Sequence, residues 1–179
     1  VFSMRVLLNV NGRSQYSSEI RPEYQNSACG PTTAHVILNY LCEEDETIRT
    51  KDVNELYKIL GGTKIGLFKW RMIRNLRRLL GDNWCIEECT LTQAIEQLRL
   101  GNPVAMKFDA YFTGQFLTNY NPLYKYHWVP LIGYEIKDNE LYLTIHDNGG
   151  KNRESHIRTF KYDDNRKVLS FVKIEPREH

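Results

Sequence analysis

Long hydrophobic runs are missing from this sequence of 179 residues. None approaches the roughly 18 residues that a membrane span requires, and the opening VFSMRVLLNV holds too short an apolar stretch for a secretory h-region. No membrane span is expected. An excess of one charge is missing as well: 24 basic and 22 acidic residues leave a net +2, which excludes the strong field expected of a nucleic-acid binder. Basic residues gather only in KWRMIRNLRR, residues 69–78, where Trp70, Ile73, Leu76, Leu79 and Leu80 recur at helical spacing while Arg71, Arg74, Arg77 and Arg78 take the other face. That pattern predicts a solvated amphipathic helix, and no nucleic-acid partner is expected. Cysteine is sparse, with four residues at 29, 42, 85 and 89, too few and too unevenly spread for a disulfide scaffold. Cys85 and Cys89 flank IEE with no histidine nearby, which is not zinc-ligand spacing. Neither a metal nor a cofactor is expected.

What is present is ample core material: 41% hydrophobic residues, three Trp, eleven Tyr and seven Phe, without repeats, low complexity or linkers. One domain over residues 1–179 is expected. MRVLLNV reads as a short strand. A helix begins near Gly30, and Val36, Ile37, Leu38, Tyr40 and Leu41 make it apolar over most of its circumference, as in a buried central helix. KDVNELYKILGG, residues 68–80 and TLTQAIEQLRLG read as amphipathic helices with polar caps and glycine stops. After Pro103 the hydrophobic period changes from 3.6 to 2 in PVAMKF, HWVPLIGYEI, ELYLTIHD, RTFKYD and VLSFVKIEP. Helices followed by an antiparallel sheet give an α+β class, with the halves packing as lobes around a cleft.

The stretch YQNSACGPTTAHVILNYL places Cys29 at a helix start, where unpaired N–H groups and the helix dipole favour a thiolate. Gly30 permits close backbone approach to a substrate, and Pro31 suits a first turn. Gln25, one short turn upstream, offers an amide donor that could join the Cys29 N–H in an oxyanion hole. Cys42, at the far end of the same helix, reads as a buried structural thiol. Among the histidines, His127 is the expected base, because it opens an apolar strand directly after a long polar and aromatic loop. His35 lies roughly 9 Å along the helix from Cys29 and cannot easily reach back to it. His146 is expected on the surface, since alternation points it away from Leu141, Leu143 and Ile145. Asp147 falls on the Leu/Ile face, where a carboxylate needs a partner; a hydrogen bond to the His127 ring would supply one.

Together QNSACGPTT, GNPVAMKF, HWVPLIGY and IHDNGG resemble, in this order and spacing, the papain-like cysteine peptidases of the bacteriocin-processing, double-glycine-leader type and their stand-alone bacterial relatives. The resemblance spans nearly the whole chain. It implies a papain-like fold, with the cysteine helix in one lobe and the His/Asp sheet in the other, and assigns oxyanion-hole Gln25, nucleophile Cys29, base His127 and orienting Asp147. Asn148 stands where relatives often have proline and is a second candidate for the orienting role. Pro130, inside what should be an interior strand, predicts a bulge or an edge. With no transporter segment following, a stand-alone domain is expected. The chain begins with Val1, so an upstream export signal could have been trimmed, and the compartment stays open between cell envelope and cytoplasm.

The expected activity is hydrolysis of a peptide bond through a Cys-His-Asp triad, with Gly30, Tyr111, Tyr126 and Trp128 as candidate substrate contacts and a peptide or protein as partner. Acyl transfer to an amine by the same triad, and a non-catalytic domain binding peptide or cell-wall material, are the alternatives. Oligomeric state is not legible in the sequence.

Overall fold

The computed structural model describes residues 4–49 and 51–177. The elements run β1 (Arg5–Leu7), α1 (Pro22–Gln25), α2 (Cys29–Leu41), α3 (Glu46–Arg49), α4 (Val53–Leu60), α5 (Lys69–Leu80), β2 (Trp84–Cys89), α6 (Leu91–Arg99), β3 (Val104–Asp109), β4 (Tyr126–Lys137), β5 (Glu140–His146), β6 (Ile157–Lys161) and β7 (Leu169–Pro176). Local chemistry sets the bounds of two of the helices. Asp52 caps α4 by accepting from the Glu55 N–H, and Gly61 ends it in the left-handed conformation. Thr90 and Gln93 close a reciprocal capping box on α6.

The strands form one antiparallel sheet in the order β2-β7-β3-β4-β5-β6, with β1 also paired to β4. The period-2 alternation read in the second half sends Ala105, Trp128, Val172 and Ile174 to one face, where they pack with Ile37, Leu38, Leu56, Leu60, Leu67, Met72 and Leu76 of the helical side. It sends Val104, Met106, Phe108, Val129, Leu131 and Phe171 to the other, against Ala94 and Leu98 of α6. Residues 29–38 of α2 are all buried, as its all-round apolarity requires.

Three expectations are corrected. The first half is not only helical after β1, since WCIEEC forms β2 at the sheet edge beside β7. Trp70 does not join the buried stripe of α5 but is 54% exposed, with the Arg71 and Arg74 guanidiniums 5.2 and 4.8 Å from its ring centre. His146 is buried rather than on the surface, because the segment after β1 crosses it. Its Nε2 bonds the Val10 carbonyl at 2.8 Å and its Nδ1 meets Ser155 Oγ at 3.2 Å. Pro130, expected at a bulge or an edge, lies beside a bulge between Leu131 and Gly133. Because pairing with β5 begins only at Leu131, residues 126–130 have β3 on one side and, among the described residues, no strand on the other.

His35 stays inside α2, its Nδ1–H donated to the Lys51 carbonyl at 3.1 Å and its Nε2 accepting from Asn39 at 3.0 Å. Burial first, and the Arg13 charge second, hold its pKa below the ordinary value. The unfolded chain therefore binds this proton more readily than the folded one, so stability falls as pH drops below about 6.5. Urea midpoints at pH 7.5 and 5.5 are expected to differ less for His35→Gln than for the natural chain.

Candidate active site

A cavity of about 500 Å³ opens where the start of α2, the turn between α4 and α5, the head of β4 and the loop after β5 converge, and Cys29, Gln15, Tyr124, Tyr126, His127 and Asp147 all line it. Two features fix Cys29. It is the first residue of α2, where the missing Pro31 N–H breaks no helical bond. And Asn148, buried with φ +63°, directs its Nδ2 to the Trp128 carbonyl at 2.7 Å, Thr33 Oγ1 at 3.0 Å and the Cys29 carbonyl at 3.3 Å. This amide ties the helix start to β4 and to the end of β5.

Burial is the largest influence on the Cys29 thiol and raises its pKa, opposed by the N–H groups of Trp128 and Gly30 and by the Lys107 charge. The helix start thus tempers the cost of a thiolate without outweighing desolvation. Lys107 is itself buried, paired with Asp109 at 3.2 Å beneath the Tyr126 and Trp128 rings.

His127 Nε2 lies 2.8 Å from the main-chain carbonyl of Asp147. A carbonyl only accepts, so Nε2 carries the proton and, in the neutral ring, Nδ1 carries the lone pair. The Tyr124 ring packs against the imidazole with centres 4.6 Å apart. Burial pulls the His127 pKa below the ordinary value, with the Asp147 carbonyl and charge opposing. The Asp147 side chain is held elsewhere: Oδ1 accepts the N–H groups of Gly149 and His156, both at 2.9 Å, and Oδ2 accepts Arg153 and Arg158, each at 2.9 Å. Burial alone would raise this carboxyl's pKa; the two N–H groups and two guanidiniums outweigh it and hold the value down.

The profile of the Peptidase_C39 like family matches residues 7–174. The chain belongs to this family. Among solved structures it is similar to the peptidase domain of Streptococcus ComA, a bifunctional ABC transporter involved in a quorum-sensing pathway, at 9% identity and TM-score 0.55, covering 98% of this chain and 100% of that one. It is also similar to UfSP from C. elegans, at 12% identity and TM-score 0.61, covering 99% of this chain and 36% of that one. No curated protein matches it. This member of the Peptidase_C39 like family is a cysteine-type peptidase with the papain-like α+β fold.

The family member's fold brings Cys29, His127 and Asp147 to one cavity but not Gln25. Both amide protons of Gln25 are engaged, on the Ile20 carbonyl at 3.0 Å and the Ser17 carbonyl at 3.2 Å. The glutamine in the cavity is Gln15, whose N–H donates to the Asn148 carbonyl at 2.8 Å. Its Nε2 uses one proton on the Gln25 carbonyl, also at 2.8 Å, and keeps a second. Sequence reasoning passed over Gln15 because NGRSQYSS has no periodicity; the usable signal was only a second glutamine ahead of the cysteine.

Of the candidate substrate contacts, Tyr126 lines the cavity, its hydroxyl accepting from the Leu67 N–H at 3.1 Å. Gly66, at φ +112°, leaves room for that hydroxyl, which a Cβ would meet at 2.1 Å. Trp128 is fully buried and donates to the Leu67 carbonyl at 2.9 Å. Gly30 faces packing rather than substrate, since a Cβ there would meet Leu67 at 2.8 Å and Trp128 at 3.2 Å. Tyr111 is exposed and packs on Phe116. Among the described residues no group of three or more His, Cys, Asp and Glu could hold a metal, and no helix is long and apolar enough to cross a membrane.

Proposed function

We propose that this peptidase cleaves an amide bond with Cys29 as nucleophile, His127 as base and acid, and the Gln15 amide and Cys29 N–H as oxyanion donors, within one folded unit spanning residues 1–179. The observation that carries the reading is the sharing of one cavity by Cys29, His127 and Gln15 at the start of a helix. Burial favours the uncharged thiol and the uncharged imidazole, so the proton moves during the chemical step. His127 Nδ1 takes the Sγ proton as sulfur attacks the substrate carbonyl carbon, while Nε2–H stays on the Asp147 carbonyl. The tetrahedral oxyanion is held by the second Gln15 proton and the Cys29 N–H. Collapse expels the amine, which takes the proton from Nδ1, and leaves a thioester on Cys29. Water, deprotonated by Nδ1, then releases the acid and restores the thiol.

The test is hydrolysis of a peptide mixture followed by mass spectrometry, with iodoacetamide added to one equivalent. Turnover lost in proportion to alkylation of Cys29, and not to that of the half-buried Cys85, with Cys42 and Cys89 unlabelled, is the expected result; full turnover with Cys29 alkylated defeats the reading. In the same assay Gln15→Ala is expected to lower kcat by about 10²–10³-fold, as loss of one oxyanion donor does elsewhere. Gln25→Ala is expected to lower it by less than about tenfold, through the chain it braces.

A further inference from the structure

The cavity around Cys29 carries more positive charge than its chemistry requires. Lys64, Lys151, Arg153 and Arg158 line it against a single carboxylate, Asp147, an excess larger than the net +2 of the entire chain. Asp147 is buried and already engaged by both arginines. Neither Lys64 nor Lys151 has an ion-pair partner among the described residues.

These lysines are not on loose loops. Lys64 sits in the turn 63–66, closed in both directions by main-chain bonds, Thr63 N–H to Gly66 O at 3.0 Å and Gly66 N–H to Thr63 O at 2.9 Å, with Thr63 Oγ1 adding a third to Gly66 O at 2.7 Å. Lys151 sits in the turn 150–153, closed by Gly150 N–H to Arg153 O at 3.2 Å and Arg153 N–H to Gly150 O at 3.1 Å. The first turn joins α4 to α5 and the second follows β5, so a lysine is presented from the helical wall and from the sheet wall. Arg153 and Arg158 keep 35% and 45% of their side chains exposed while bonded to Asp147, and each guanidinium has further N–H donors.

Like charges held together at the two rims of a cavity repel one another until an anion lies between them. We propose that the substrate of this site presents a carboxylate within about two residues of the scissile bond, roughly 7 Å along an extended chain, and that Lys64 and Lys151 select for it. This rests on the peptidase reading above and adds the substrate class to it. An acidic side chain and a free C-terminus offer the same chemistry, and the test separates them.

The first measurement needs no turnover: rates of Cys29 alkylation by iodoacetate and by iodoacetamide, referenced to Cys85, in the natural chain and in the Lys64→Gln/Lys151→Gln variant. At low salt the anionic reagent is expected to gain about tenfold over the neutral one at Cys29, and most of that gain is expected to vanish in the variant and at 0.5 M salt. The second compares kcat/KM for matched quenched peptides carrying Glu, Gln, or a free or amidated C-terminus near the cleaved bond. A Glu over Gln ratio near ten that falls toward one in the variant assigns the lysines to an acidic side chain; a preference confined to free over amidated ends assigns them to a terminal carboxylate. Equal turnover of charged and neutral peptides overturns the proposal, as does an iodoacetate preference indifferent to both lysines. A chain that cleaves none of the peptides yet keeps the lysine-dependent preference counts against the peptidase reading and for an anionic ligand.

Discussion

Cys29→Ala is expected to stay folded and to lose peptide hydrolysis by at least about a thousandfold, because no other thiol is placed to form the thioester. Cys29 is 4% exposed and packs with Leu67 and Trp128, so removing its sulfur costs about 1 kcal/mol of stability, a small cavity beside well-packed neighbours. The other thiols serve as controls. Cys42 and Cys89 are buried, with pKa values pushed up to about 11 by desolvation, and alanine at either is expected to leave kcat within about twofold. The measurement is kcat on a cleaved peptide alongside thermal unfolding of each variant. A Cys29→Ala chain with more than about a tenth of natural kcat would remove the nucleophile from the mechanism.

Asp147→Asn is expected to destabilise the protein by about 1–2 kcal/mol, less than the loss of one charge from a fully buried pair, because the two arginines it leaves behind are partly exposed to water. The carboxylate accepts four hydrogen bonds, two from guanidiniums, and an asparagine can satisfy the two N–H groups but turns its own NH₂ toward an arginine. The contact to His127 comes from the main-chain carbonyl, which the substitution leaves in place. Per folded molecule, kcat is therefore expected to fall by no more than about tenfold, against about 10⁴-fold for a histidine oriented by a carboxylate. Urea unfolding combined with kcat well below the midpoint separates the two. Acid acts through the same group: its folded pKa is lowered, so its contribution is present above about pH 4 and is lost as pH falls through the folded value.

The four longer helices, α2, α4, α5 and α6, were legible because their signals are local, whereas the four-residue α1 and α3 are too short to show a period. Asp52 and Gly61 bracket α4, Thr90 and Gln93 open α6, and an apolar circumference marked α2 as buried. The strands after Pro103 were legible from alternation. β2 was not, since WCIEEC does not alternate and becomes a strand by pairing with β7 at the sheet edge. Trp70 misled for a related reason: spacing fixes a helix face but not what covers it, and here two guanidiniums lie against an indole that stays about half exposed.

The sequence by itself determined the family, the papain-like α+β architecture, and the placing of a cysteine at a helix start and a histidine at a strand start, because each rests on residue types at characteristic intervals. Tertiary structure alone decided which glutamine enters the cavity, since Gln15 and Gln25 are chemically identical and differ only in whether an amide proton remains unengaged. It also decided which atom of Asp147 meets His127. Every residue carries a main-chain carbonyl, so its use leaves no mark in the sequence, whereas a carboxylate is visible and was credited with the contact. The gathering of Lys64 with Lys151, Arg153 and Arg158 around one cavity has the same origin, because charges far apart along a chain acquire a common field only when the fold brings their turns together.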